Sequence, residues 1–210
     1  MYYLNYIPPI FQKFYPSYLW RIPVRENTVY LTFDDGPHPE ITPWVLERLA
    51  VYQAKATFFT VGANVDRYPG VIAQIMDEGH VIGNHTYHHF NGAKTTNKIY
   101  LEEIRKGREA LERIGVRTTL FRPPYGRMKY EQLKAVRKNN RIVMMDVIGG
   151  DFDPKLNGRQ VAQNVLKNYR KGSIILLHDS PKAWERLRIA LPEILNHLYE
   201  RGLMMKAIRI

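Results

Sequence analysis

Short continuous apolar runs alternate along this chain with longer stretches in which apolar residues recur at helical spacing. The runs predict strands at residues 28–33, 57–61, 80–83, 118–122, 142–147, 173–177 and 203–208. The stretches between them predict helices at about 40–53, 69–78, 96–114, 130–139, 158–170 and 184–201. A glycine follows four of these helices, where a left-handed residue often ends a helix, at positions 79, 115, 172 and 202.

Strands that alternate with helices predict an α/β fold built on a parallel sheet with right-handed crossovers. The runs are apolar almost throughout, as expected for strands that are buried on both faces. A closed or nearly closed β/α barrel and an open doubly wound sheet both agree with this pattern. In either architecture, functional side chains belong at the carboxyl ends of the strands.

The beginning of the chain differs from the rest because residues 1–27 are rich in Tyr, Phe, Trp and Pro. We expect them to form an irregular arm packed on one domain at residues 28–210, since 210 residues suit a single domain. The arm also admits contact with a membrane surface, although no window approaches the ~18 apolar residues of a membrane span. No signal peptide is visible, which predicts a cytoplasmic protein unless an export leader has been trimmed.

The composition limits the chemistry that is available. The chain has no Cys, so disulfides and thiolate chemistry are excluded and any metal site must use His and carboxylate ligands. The net charge is +11, and the basic excess lies in residues 101–210. A basic face favours polyanions such as nucleic acid, anionic lipid or acidic glycan. Because the basic residues are dispersed and no nucleic-acid motif accompanies them, we expect no nucleic-acid partner.

Ionisable residues are concentrated directly after the predicted strands, at the expected carboxyl rim of the sheet. They are Asp34 and Asp35, then His85, His88 and His89, then Arg122, then Asp146, Asp151 and Asp153, and finally His178 and Asp179. Taken singly, each has an ordinary explanation; Asp35-Gly36-Pro37, for example, is a common turn sequence. Their joint occurrence on one rim favours a functional site. The remaining histidines, 38, 80 and 197, are expected to be structural.

Two histidines and a carboxylate form a good ligand set for a divalent metal that keeps coordination positions open. His85 and His89 are four residues apart, a spacing that places two side chains on the same face of a helical turn. One carboxylate of the Asp34–Asp35 pair can bind the metal, and its neighbour can then act as a general base. The identity of the ion stays open, because such a site accepts several divalent metals.

These motifs resemble those of the polysaccharide deacetylases, the NodB-homology domain of carbohydrate esterase family four. The matching segments are Thr32–Gly36 (TFDDG), His85–His89 (HTYHH), Arg122–Gly126 (RPPYG) and Ile175–His178 (ILLH). Their order and separations also agree, so the resemblance covers residues 28–208. It implies a distorted (β/α)7-type barrel as the catalytic domain. It also implies metal-dependent removal of N-acetyl groups from an amino sugar or glycan.

The resemblance implies a role for the first motifs. Asp35, His85 and His89 would hold the metal, with zinc as the expected ion. Asp34 would be the general base that takes a proton from the attacking water. Arg122 would pair with Asp34 and hold it in place.

The later motifs would complete the reaction. The backbone N–H of Tyr125 would join the metal in stabilising the oxyanion, and His178 would protonate the leaving amine. Leu176 and the aromatic residue of the fourth motif would line the acetyl pocket. That motif departs from the family pattern, because Phe152 follows Asp151 where the family usually carries Trp.

The acidic partner of His178 is the least determined of these residues. Asp151 is the best match to the fourth motif, and it would orient the histidine and stabilise its charge. Asp146 and Asp153 are rival candidates for that role.

Two other interpretations are left open by the residues. Two histidines and a carboxylate also hold iron(II) in oxygenases, but those usually sit on an all-β fold. The chain could also be an inactive member of the fold that binds glycan or polyanion without catalysis. Retention of the acid, the base and the ligand residues argues against an inactive member. The sequence does not determine the glycan or the oligomeric state.

Overall fold

The computed structural model describes residues 4–209. The helices are α1 (Pro9–Phe14), α2 (Ile41–Val51), α3 (Gly62–Arg67), α4 (Pro69–Asp77), α5 (Asn97–Arg113), α6 (Tyr130–Val136), α7 (Gly158–Leu166) and α8 (Trp184–Glu200). The strands are β1 (Thr28–Asp34), β2 (Ala56–Thr60), β3 (Val81–Asn84), β4 (Leu120–Phe121), β5 (Arg141–Ile142), β6 (Val147–Ile148), β7 (Ile174–His178) and β8 (Met204–Met205). Short 3-10 turns lie at Gly92–Lys94 and Pro124–Gly126.

The strands form one sheet in the order β5-β4-β3-β2-β1-β7-β6, and β8 pairs with the beginning of β1. Each of these pairings is parallel. Strands β5 and β6 stand at the two ends of the order. The sheet is curled into a half-barrel. The predicted α/β class and the (β/α)7-type architecture are confirmed.

The predicted strand at 142–147 is wrong as a single element, because it is divided between the two edge strands β5 and β6. The residues between them cross the open seam of the half-barrel and pair with the N-terminal arm. Leu19 N–H donates to Ile142 O at 2.8 Å, and Met144 N–H donates to Leu19 O at 2.8 Å. Ile7 N–H donates to Asp146 O at 2.9 Å. The arm therefore satisfies backbone groups that a neighbouring strand would otherwise pair.

The two faces of the sheet bury different residues, because side chains alternate along a strand. On β1, Leu31 and Phe33 belong to the larger core, which packs beneath the helices. Tyr30 belongs to the second core, on the inner face of the half-barrel. Thr32 and Asp34 continue this inner face toward the carboxyl rim, where they are buried.

Several other element boundaries differ from the predictions. Helix α3 was not predicted, and α1 forms within an arm that was expected to be irregular. Strands β4 and β8 each keep only two residues, although the apolar runs that predicted them are longer. Within the described residues, no helix is both long enough and apolar enough to span a bilayer.

Candidate active site

Asp34 ends β1 on the inner face and forms a buried ion pair with Arg122. Arg122 Nη1 donates to Asp34 Oδ1 at 2.7 Å and to Thr32 Oγ1 at 2.7 Å. The other guanidinium donors reach the backbone carbonyls of Val143 and Met144, at 3.1 and 2.9 Å. The guanidinium is fully buried and lies 4.1 Å from the centroid of the Phe59 ring. Arg122 is thereby fixed by its own contacts, and it fixes one oxygen of Asp34 in turn.

Asp35 follows Asp34 in a left-handed backbone conformation, with φ at 77°. Aspartate tolerates this conformation better than most residues. The carboxylate Oδ2 pairs with Lys182 Nζ at 2.6 Å. The other oxygen, Oδ1, lies 3.6 Å from His85 Nε2 and 3.0 Å from His89 Nε2. Arg122 therefore holds Asp34, whereas Lys182 and His89 lie beside Asp35. His85 Nε2 lies near both carboxylates, 3.7 Å from Asp34 Oδ2 and 3.6 Å from Asp35 Oδ1.

His85 and His89 meet through a loop rather than a helix, so the expectation of a shared helical face is wrong. Thr86 and His89 both have positive φ, and the rings of the two histidines are 5.0 Å apart. Asn84 Oδ1 accepts the N–H of Thr86 at 2.9 Å, and Thr86 Oγ1 accepts the N–H of His89 at 3.0 Å. These short-range bonds stabilise the left-handed turns that bring the two rings together.

Helices α3 and α5 support this loop from outside. Gly62 N–H, at the start of α3, donates to Thr86 O at 2.9 Å. Gly107 of α5 packs so closely that a Cβ there would lie 2.5 Å from Asn84 Oδ1. His88 Nδ1 and N–H contact the buried Glu103 carboxylate, at 2.9 and 2.7 Å. His88 thus holds the loop and points away from the other two histidines.

The donor set of Asp35, His85 and His89 fits a divalent metal. One ligand atom from each lies within 4.8 Å of the others. His85 Nδ1 is 2.7 Å from Arg122 O, so this nitrogen carries the proton and Nε2 offers a lone pair. Burial lowers the pKa of His85 to about 4, which keeps the ring neutral.

The oxygen that faces these rings is unsatisfied within the described residues. Asp35 Oδ1 is buried without a hydrogen-bond partner there, since His89 approaches it without hydrogen-bond alignment. A carboxylate oxygen that faces an imidazole lone pair is unfavourable unless a cation lies between them. Two nitrogens and one oxygen match the ligands of zinc and similar divalent ions, with coordination positions left for water or substrate.

His178 and Asp151 form a second buried pair on the neighbouring strand. His178 is the register partner of Asp34, on β7 beside β1. Its Nδ1 lies 2.8 Å from Asp151 Oδ1, and its backbone N–H donates to Asp151 Oδ2 at 2.7 Å. Burial would lower the pKa of His178, but the charge and hydrogen bond of Asp151 outweigh it and raise the pKa to about 8. The imidazole is therefore largely protonated at neutral pH, with Nε2 opposite the Asp151 bond.

Of the three acidic candidates, Asp151 contacts the His178 ring. Asp146 instead accepts the Ser173 hydroxyl at 3.0 Å and the Ile174 N–H at 2.9 Å, near the start of β7. Asp153 Oδ1 accepts the N–H of Lys155 at 3.0 Å within its own loop. Asp146 therefore lies at the opposite end of the strand from His178.

The remaining predicted residues surround this cluster. The Tyr125 ring lies 4.8 Å from that of His89, and its backbone is left-handed with φ at 61°. The Phe152 ring meets His178 edge-on at 5.3 Å. Leu176 precedes His178 by two residues, so it faces the same inner side of the sheet, and it is 7% exposed.

The histidines that were expected to be structural lie outside this cluster. His38 Nδ1 accepts N–H groups at the start of α2, from Glu40 and Ile41, each at 3.3 Å. His80 Nδ1 accepts the Ala56 N–H at 3.0 Å. His197 contacts the Tyr169 hydroxyl at 3.3 Å.

Sequence reasoning assigned no role to Lys182 or to Asp179, and both touch the Asp35 turn. Asp179 Oδ1 accepts the Gly36 N–H at 3.2 Å, and its Oδ2 lies 2.5 Å from Thr42 Oγ1. A Cβ on Gly36 would lie 2.1 Å from that carboxyl, so only glycine fits the turn. Burial raises the pKa of Asp179 to about 8. Asp179 could have been identified from its position directly after His178 at the end of a predicted strand. The sequence pattern does not distinguish Lys182 from other surface lysines.

Comparisons with known proteins agree with the motifs. The polysaccharide deacetylase family model matches residues 21–142. A peptidoglycan-N-acetylglucosamine deacetylase of Bacillus cereus is 39% identical over 189 residues, covering 89% of this chain and 68% of the relative. A chitooligosaccharide deacetylase of Azorhizobium caulinodans is 39% identical over 163 residues, covering 76% and 77%. A crystal structure of a peptidoglycan N-acetylglucosamine deacetylase superposes with a TM-score of 0.86 at 36% identity, covering 97% and 95%.

Proposed function

The chain belongs to the polysaccharide deacetylase family, and we propose that it removes N-acetyl groups from N-acetylglucosamine residues of a glycan. Membership makes it a hydrolase of the N-deacetylase class. The names of its relatives support a substrate of the peptidoglycan or chitooligosaccharide type.

The proposal rests on one observation. A three-residue donor cluster lies beside two buried ion pairs, one that contains the candidate general base and one that contains the candidate general acid. The cluster of Asp35, His85 and His89 would hold the ion. A bound divalent ion, with zinc as the expected species, would polarise the acetyl carbonyl and lower the pKa of the attacking water. Asp34 and His178 occupy register-paired positions on adjacent strands, so they reach the same reaction space.

Asp34 is suited to the role of general base. Its Oδ1 is held by Arg122, whereas its Oδ2 lies 3.7 Å from His85 Nε2 and so faces the donor cluster. The free oxygen can accept a proton from the attacking water, and the adjacent guanidinium stabilises the carboxylate before that transfer. Arg122 cannot easily move in response, because four of its contacts are to buried groups.

His178 is suited to the role of general acid. Asp151 holds Nδ1, so the second ring nitrogen is free to donate a proton to the leaving amine. A pKa of about 8 means that this proton is present at neutral pH and is still transferable. His178 can therefore supply the proton that the leaving amine needs.

The acetyl group would be bounded by Leu176 and Phe152. Leu176 lies two residues before His178 on β7, and the Phe152 ring contacts the His178 ring. The backbone N–H of Tyr125, beside His89, would donate to the developing oxyanion. A phenyl ring in place of the family's indole would leave a wider pocket.

Acetate release from N-acetylated chitin- and peptidoglycan-derived oligosaccharides tests the proposal. The unaltered protein is run with zinc and with chelator, beside Asp34→Asn. Loss of the base lowers the rate by about 10²–10⁴-fold. Asp66→Asn is the matched control, because Asp66 pairs with Arg113 on the exposed surface.

Chelator-sensitive release that Asp34→Asn abolishes and Asp66→Asn leaves unchanged would support the reaction and its base. A protein that binds zinc but releases no acetate from any of these substrates would contradict it. In that case, glycan binding without catalysis would become the better account.

A further inference from the structure

The outer face of the N-terminal arm carries an unusual group of exposed apolar side chains. Helix α1 contains no buried residue. Ile10, Phe11, Phe14 and Tyr15 are 57%, 51%, 70% and 50% exposed. Their spacing places them on one side of the helix and its first following residue. Single exposed apolar residues are normal, but a contiguous group of this kind indicates an interaction surface. We call these four residues the arm patch.

The segments on either side of the arm patch are held in place by contacts with the rest of the chain. Backbone bonds tie the arm to the sheet on both sides of α1, at Ile7 and Leu19. The Tyr15 and Tyr18 rings stack at 5.5 Å, and Trp20 Nε1 donates to Tyr15 O at 3.2 Å. The exposure of the patch is therefore a property of a fixed surface, and its apolar side chains are already oriented outward.

The charges of the arm and of the residues next to its pairing partners are mainly basic. Residues 4–27 carry Lys13, Arg21 and Arg25 against one acidic residue, Glu26, which pairs with Lys206. Exposed Arg141 and Lys171 adjoin the residues with which the arm pairs, Ile142 and Gly172. Two copies of this surface would repel each other, whereas an anionic bilayer would attract it.

We propose that the arm patch docks on an anionic lipid bilayer, with α1 lying in the plane of the headgroups. Phenyl and tyrosyl rings are the side chains favoured at that depth, and flanking cations add attraction to anionic lipids. The helix lies on the surface and does not cross it.

The segment that follows α1 is tied to the chain directly before β7. Arg21 pairs with Ser173, directly before β7, and Ile22 N–H donates to Gly172 O at 2.9 Å. His178 lies at the other end of β7, about 16 Å along the strand at ~3.3 Å per residue. Residues 21 and 22 therefore lie at the amino end of β7, whereas His178 lies at its carboxyl end.

Vesicle co-sedimentation tests the proposal on the full chain. Vesicles of phosphatidylcholine alone are compared with vesicles containing equal amounts of phosphatidylcholine and phosphatidylglycerol. The unaltered protein should bind the anionic vesicles, and added salt should weaken this binding. Phe11→Ser combined with Phe14→Ser should weaken it by at least about tenfold. Lys13→Glu should also weaken it, by a smaller factor.

The matched control is Val51→Ser, which removes an apolar side chain that is 68% exposed on α2. It should leave vesicle binding unchanged. All variants should keep the melting temperature and the acetate release from soluble oligosaccharide, because the arm patch contributes neither core nor candidate site. Binding is read without catalysis, so failure of the deacetylase proposal would not affect it.

Absence of binding to anionic vesicles would overturn the proposal. So would binding that the double variant retains, or that Val51→Ser reduces equally. Sedimentation showing a dimer that the double variant dissociates, without vesicle binding, would assign the arm patch to a second copy of the chain instead.

Discussion

Two buried histidines flank β3, and they show how different the ends of this sheet are. His80 precedes the strand and His85 follows it. Burial is the main cause that lowers the pKa of each ring to about 4. His80 Nδ1 accepts the backbone N–H of Ala56, whereas His85 Nδ1 donates to the backbone carbonyl of Arg122. The two rings therefore carry their proton on opposite nitrogens.

The comparison shows that burial and a shifted pKa do not by themselves identify a functional residue. At the amino end, the lone pair of His80 satisfies the backbone of β2. At the carboxyl end, the backbone takes the proton of His85, and its lone pair is directed toward Asp35. The direction of the second ring nitrogen distinguishes a structural histidine from a candidate ligand.

The largest effect is expected from His85→Leu, which removes the ligand nitrogen while keeping an apolar side chain of similar size. Even loss of a residue that supports a ligand costs about 10–100-fold in metal affinity. Loss of the ligand itself should exceed 100-fold, and acetate release should fall with it. Competition with a chromogenic chelator measures the affinity; an unchanged affinity would remove His85 from the metal site.

An intermediate effect is expected from Asp151→Asn. The folded pKa of His178, about 8, depends on the Asp151 charge, so this variant should lower it. A general acid acts in its protonated form, so activity is present below the pKa and lost as pH rises through it. The alkaline limb of kcat/KM should therefore move to lower pH. A loss of rate at every pH without movement of this limb would make Asp151 a purely structural partner.

The smallest effect on the site is expected from His80→Leu. This change leaves the Ala56 N–H buried and unpaired, which costs about 1–3 kcal/mol in the free energy of unfolding. Denaturant unfolding measures that cost. Zinc affinity should remain that of the unaltered protein. A loss of affinity comparable to that of His85→Leu would contradict the structural role assigned to His80.

Much of the carboxyl rim could be predicted because parallel strands place the residues that follow them at one edge. Apolar runs located β1, β2, β3 and β7 to within one residue at either end. The run at 142–147 misled because Val143, Met144 and Met145 are buried without a ladder of their own. Val143 N–H donates to Phe121 O of β4, whereas Met144 N–H donates to Leu19 O of the arm. Periodicity carries no information about such a change of backbone partner.

Local conformation at the site was less predictable than its composition. Spacing suggested a helical turn for His85 and His89, but hydrogen bonds from Asn84 and Thr86 favour left-handed backbone instead. Of the five non-glycine residues with positive φ among those described, four are Asp35, Thr86, His89 and Tyr125. Strained backbone often accumulates where ligand geometry matters, and the contacts that sustain it are tertiary. The Lys182–Asp35 pair could not be predicted either, because it is also a tertiary contact.

The most direct test of the account is zinc binding measured by calorimetry on the unaltered protein, His85→Leu and His80→Leu, with acetate release assayed on the same samples. The unaltered protein and His80→Leu should bind a single equivalent of zinc, lose acetate release on chelation and regain it with added zinc. His85→Leu should do none of these. Acetate release that persists in the chelated protein, or equal loss of zinc in both variants, would contradict it.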